Sequence, residues 1–121
     1  MSYNFITCQE DIDFFLQKTA ALNDGDILSV NYEDKGLRKT CMGYHFKPGK
    51  SELRIRVLVS SNIVELVFSG LLHWKIADDG FELIKISLYM DQNGFLTLRD
   101  ESDPDDMALH VVAEKMCWRI E

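Results

Sequence analysis

No stretch of this chain is apolar for long enough to cross a bilayer. Its longest such run, "IVELVF" at 63–68, is six residues with a glutamate inside it, against the roughly 20 apolar residues a spanning helix needs. The opening "MSYNFITCQED" lacks the basic start, apolar centre and small-residue cleavage site of a secretory signal. There is no Asn-x-Ser/Thr acceptor. Cysteine is scarce as well: Cys8, Cys41 and Cys117 are odd in number and far apart, which argues against a disulfide framework and for small, buried hydrophobic thiols in a reducing compartment. A cytoplasmic location is therefore expected.

Several chemical signatures are missing too. The chain has no Gly-x-Ser-x-Gly elbow, no Gly-rich phosphate loop and no His-Glu-x-x-His helix. Cys41 and His45 are four apart, while His73, His110 and Cys117 offer no paired ligand spacing, so no metal site is expected. Nothing marks a nucleophile with its base, and the expectation is a protein without catalytic residues or cofactor.

What is present is an ordinary globular composition, 121 residues with 46% hydrophobic and 27% charged, in the size range of a single domain over 1–121. "TCQE" at 7–10 reads as a capping box, with the Thr7 hydroxyl on the Glu10 amide and the Glu10 carboxylate reaching back to Thr7. Ile12, Phe15, Leu16 and Thr19 follow at helical spacing, which predicts a helix over about 8–22, stopped by Asn23 and Gly25.

Over 26–120 the period changes to two. Leu28, Val30 and Tyr32 share a face, as do Met42, Tyr44 and Phe46, with "KPGK" as the next turn. Leu53, Ile55, Val57 and Val59 then point inward with Arg54 and Arg56 outward, and Val64, Leu66 and Phe68 alternate again. Gly70 marks a bulge or a close backbone approach. Ile84, Ile86, Leu88 and Met90 share a face, "DQNG" signals a tight hairpin, and a closing strand carries Leu109, Val111, Ala113, Met116, Trp118 and Ile120. Turns of two to four residues imply antiparallel neighbours. The fold class is α+β: an N-terminal helix on a strongly curved, mostly antiparallel sheet of seven or eight strands, with closure into a partial barrel as an alternative.

The net charge of −7 is uneven. Residues 100–106, "DESDPDD", carry five carboxylates, whereas 35–56 hold seven Lys and Arg against Glu52 alone. The acidic run fails as an EF-hand. Starting at Glu101, position 6 is Asp106 and position 12 is Val112; starting at Asp100, position 5 is Pro104. Packed, solvated acids also lack the dry pocket a general acid requires. The basic window could attract nucleic acid, but the acidic remainder of the chain would repel it. Clustered carboxylates can instead attract a basic protein and speed its association. The partner-binding residues expected on this ground are Asp100, Glu101, Asp103, Asp105 and Asp106, with Glu10, Asp11 and Asp13 as an extension. Two other readings stand beside it: a small apolar-ligand carrier with a pocket between helix and sheet lined by Tyr44, Phe46 and Trp74, and a homodimer joining basic hairpins to acidic loop.

"IVELVFSG", "FELIKISLYMDQNGFLTLRDESD" and "HVVAEKMCWRIE", with their Phe-x-Gly and closing Trp-Arg, span about half the chain. This pattern resembles a broad group of small bacterial cytoplasmic proteins, some of them proposed immunity partners of secreted polymorphic toxins. The resemblance implies a non-enzymatic protein that neutralises a basic toxin domain. It carries over no functional residue.

Overall fold

The computed structural model describes residues 3–34, 37–40, 43–46, 51–76, 82–83, 86–101 and 109–121, with the backbone alone at 34, 37–40, 43–46 and 82. The elements run β1 (Asn4–Ile6), α1 (Gln9–Lys18), a 3₁₀ turn (Ala20–Leu22), β2 (Gly25–Asp34), β3 (Leu37–Thr40), β4 (Gly43–Phe46), β5 (Ser51–Val59), β6 (Asn62–Ile76), β7 (Glu82–Leu83), β8 (Ile86–Met90), β9 (Leu96–Asp100) and β10 (Leu109–Ile120). The main sheet is antiparallel throughout, in the order β7-β2-β5-β6-β10-β9-β8, with β1 added beside β10. The β3–β4 hairpin forms a small sheet of its own. The class is α+β.

The sheet curls back on itself. Its two ends, β7 and β8, are consecutive in the chain, and Leu83 and Ile86 are three residues apart, so their Cα atoms lie within about 11 Å. Among the described residues no ladder joins β7 to β8, and the sheet is not closed into a barrel.

Strand alternation builds the inner face. Leu53, Ile55, Val57 and Val59 of β5 are buried, as are Val64, Leu66 and Phe68 of β6 and Leu109, Val111, Ala113, Met116 and Trp118 of β10. Ile12 and Phe15, one helical turn apart on α1, are fully buried against this face, with Phe15 edge-on to Trp118 at 5.2 Å between centroids. Burying an aromatic ring of this size stabilises by about 2–3 kcal/mol.

The helix is shorter than its periodicity predicts. It ends at Lys18, where Thr19 donates its hydroxyl to the Phe15 carbonyl at 2.8 Å. Ala20, Ala21 and Leu22 then adopt left-handed φ values of 53–54°, a reversal that drops Leu22 into the core. At the other end the cap is shifted by one residue. Cys8 is the N-cap, and Asp11 rather than Glu10 reaches back, accepting from the Thr7 N–H at 2.9 Å and the Thr7 hydroxyl at 2.8 Å. The Thr7 backbone and hydroxyl hydrogen bonds hold the Asp11 carboxyl below its usual range.

Two bulges re-aim side chains. On β2 the pairing slips between Ile27 and Ser29, so Ile27 and Val30 face the core while Leu28, expected beside Val30, is expelled to 47% exposure. On β6 and β10 the inward side chains are three apart instead of two, Phe68 to Leu71 and Ala113 to Met116. Gly70 sits in the gap at φ +67°, where a Cβ would lie 2.7 Å from the Glu114 carboxylate. The Asn-Gly hairpin is wider than a two-residue turn. Asp91 closes it by accepting from Gly94 on its carbonyl and from Asn93 and Phe95 on its carboxylate, and Gly94 alone takes positive φ. The tight primed turn is Ser60–Ser61 instead, with φ values of 47° and 72°.

Candidate functional site

The acidic segment does not begin on the surface. Asp100 ends β9 facing inward and is 1% exposed, so it is not available to a partner. Glu101 is half-buried and takes a hydrogen bond from Arg99. Asp103, Asp105 and Asp106 lie outside the described residues. Of the helix acids, Asp11 is engaged by Thr7 and Asp13 accepts from Gln9 at 3.0 Å.

The end of the sheet from which Asp100 and Glu101 emerge carries the most exposed aromatic pair among the described residues. Antiparallel register brings Asp34 opposite Ser51, Leu109 opposite Ile76, and Ile86 opposite Asp100. The strand ends flanking both the basic window and the acidic run are therefore at one end of the curved sheet. Tyr32, in register with core Leu53, and Trp74, in register with core Val111, lie on the inner face there. Their rings stack with centroids 5.4 Å apart and remain 44% and 36% exposed. No spacing rule links positions 42 residues apart, and Tyr32 is the aromatic that sequence reasoning did not place beside Trp74. The side chains of Tyr44 and Phe46 lie outside the described residues.

The outer face is ionic. Glu65, with 8% of its side chain exposed, accepts from the Tyr3 hydroxyl, from Arg54 at 3.2 Å and from Arg119 at 3.3 Å, while Arg119 also lies 4.8 Å over the Tyr3 ring. Burial pushes the Glu65 carboxyl up, but the Tyr3 and Arg119 hydrogen bonds and both arginine charges outweigh it and leave the group below its usual range. Arg54 also holds Glu52 at 2.6 Å, and Arg56 holds Glu121 at 2.8 Å. The two outward arginines of the basic window are thus engaged by carboxylates of their own molecule.

The thiols divide. Cys8 is exposed, contrary to the expected burial, whereas Cys117 is half-buried and burial pushes its pKa up. Cys41 is outside the described residues. Among the described residues no three His, Cys, Asp or Glu side chains group as metal ligands, and no helix is long and apolar enough to cross a membrane.

An open groove of about 400 Å³ lies where β9 gives way to β1 along the edge of β10. It is lined by Phe5, Ile6, Met90, Leu96 and Met116, with Glu114 and Lys115 at its rim. It is not the pocket expected around Trp74.

No protein-family model, no curated protein and no solved structure matches the chain.

Proposed function

We propose that this is a non-enzymatic protein-binding domain that docks a basic partner, such as a toxin domain, at the open end of its curved sheet. The observation that carries the reading is the Tyr32–Trp74 stack, exposed at the end where the strands flanking residues 102–108 emerge. Tyr and Trp anchor protein interfaces because they combine large apolar area with few rotatable bonds. Five carboxylates in residues 100–106 and a net charge of −7 favour a cationic surface on the other side. Of those five, Asp103, Asp105 and Asp106 are the contact residues retained. Asp100 is set aside because it is buried, and Glu101 because it is engaged by Arg99.

The test is co-purification from the native source with three tagged chains: wild type, Trp74→Ala, and Asp103→Asn/Asp105→Asn/Asp106→Asn. A basic protein held by the wild type and lost from both variants supports the reading. Equal recovery by all three contradicts it.

The open groove of about 400 Å³ favours a second reading as a small apolar-ligand carrier, since ligand sites start near that size. Native mass spectrometry of freshly purified protein separates the two. A retained small molecule, displaced in a Met116→Trp chain, supports the carrier, and a bare chain mass opposes it.

A further inference from the structure

A group of basic side chains stands on the outer face, opposite in facing to the inward Tyr32–Trp74 stack. His110 of β10 is opposite Lys75 of β6 on one side and opposite Arg99 of β9 on the other. His73 of β6 meets the His110 ring edge-on, with centroids 4.9 Å apart. Arg99 lies 5.5 Å over the Tyr89 ring of β8 and gives one terminal nitrogen to Glu101. Its Nε is enclosed without a hydrogen-bond partner, and so is the hydroxyl of Ser87, the residue opposite it on β8. Three neighbouring strands thus gather one guanidinium, one ammonium and two imidazoles on a chain whose net charge is −7.

We propose that this group is a binding site for a small tetrahedral oxyanion of the phosphate type, with Glu101 as the internal anion that the ligand displaces from Arg99. A guanidinium offers a planar fork of donors matched to oxyanions. Each imidazole adds a second donor and a positive charge only when protonated. Among the described residues, the groups that face His110 are His73 and Lys75 from β6 and Arg99 from β9, with Glu101 and Tyr89 beyond Arg99. Burial holds the His110 imidazole below its usual range, and the neighbouring His73 and Arg99 charges act the same way. An anion seated among them opposes those charges, so binding takes up protons. Affinity therefore rises as the pH falls through the histidine range, by up to about tenfold per pH unit for each proton taken up.

Sulfate is the probe, because its charge is constant across that range. The histidine ring signals of the full chain are titrated by NMR in sulfate and in chloride at matched ionic strength. The His73 and His110 midpoints rise in sulfate by about half a pH unit or more. The rise disappears in Arg99→Gln and grows in Glu101→Gln, where nothing competes for the guanidinium. If Arg99→Gln does not fold, as its amide spectrum reports, His110→Gln read through His73 alone takes its place. Acetate gives a smaller rise than sulfate; an equal one overturns the assignment to a tetrahedral anion. Identical titrations in sulfate and chloride, or a rise that survives Arg99→Gln, overturn the site itself.

Discussion

The two ends of the inner face are built from the same alternating strands and covered in opposite ways. At one end, Phe15 and Leu22 descend from α1 and the left-handed turn, the Ser60–Ser61 turn closes the β5–β6 hairpin, and the core side chains are excluded from water. At the other, Tyr32 and Trp74 occupy equivalent inward positions yet keep more than a third of their surface exposed. An inward position on a strand thus leads to burial only where another element lies over it. Where none of the described elements does, the same alternation leaves aromatic surface exposed.

The largest contrast should come from truncating one aromatic at each end. Phe15→Ala removes a fully buried ring and should cost about 3–5 kcal/mol in urea unfolding. Trp74→Ala should change stability by less than about 1 kcal/mol, as a half-exposed side chain beyond the sealed core. Similar losses at both ends would erase the distinction.

A smaller effect tests whether the outer face stabilises through charge. Glu65→Gln should cost about 1–3 kcal/mol, because it weakens the hydrogen bonds of Tyr3, Arg54 and Arg119. The sign of the pH dependence follows from a folded-state pKa below the ordinary carboxylate value. The stabilisation is complete above the ordinary value and is lost as the pH falls through the folded one. Thermal melts of Glu65→Gln should therefore show a shallower decline in acid than the wild type. Parallel acid limbs would remove Glu65 from the account.

The smallest effect concerns the closed end. Ser60 and Ser61 both adopt positive φ, which non-glycine residues enter at a cost and which hairpins prefer to fill with Asn-Gly. Ser61→Gly should raise the unfolding midpoint, worth about 0.5–1 kcal/mol. A lower midpoint would mean that the turn is not of the primed type.

Much of the architecture is legible from side-chain period alone. The alternation in 53–59 and 64–68, the break at Gly70 and the change of phase between Ala113 and Met116 are consequences of which face is buried, so they appear in the order of residues. Bulge position is less legible. Leu28, Val30 and Tyr32 alternate without interruption, but the slip at Leu28 depends on how β5 pairs beside it. The helix C-terminus departs from its periodicity for a similar reason, because Ala20 and Leu22 fit a helix until the chain must turn back into β2. Of the candidate site, the charge cluster could be read, whereas the burial of Asp100 and the meeting of Tyr32 with Trp74 could not. Both depend on which strands end together.

The proposed docking surface is tested most directly by titration calorimetry of the captured partner against Trp74→Ala and Phe5→Ala, the latter removing an exposed ring on the outer face. Trp74→Ala should weaken the complex at least about tenfold, or 1.4 kcal/mol, while Phe5→Ala binds as the wild type does. Undiminished affinity of a folded Trp74→Ala chain would contradict the assignment of partner binding to the open end.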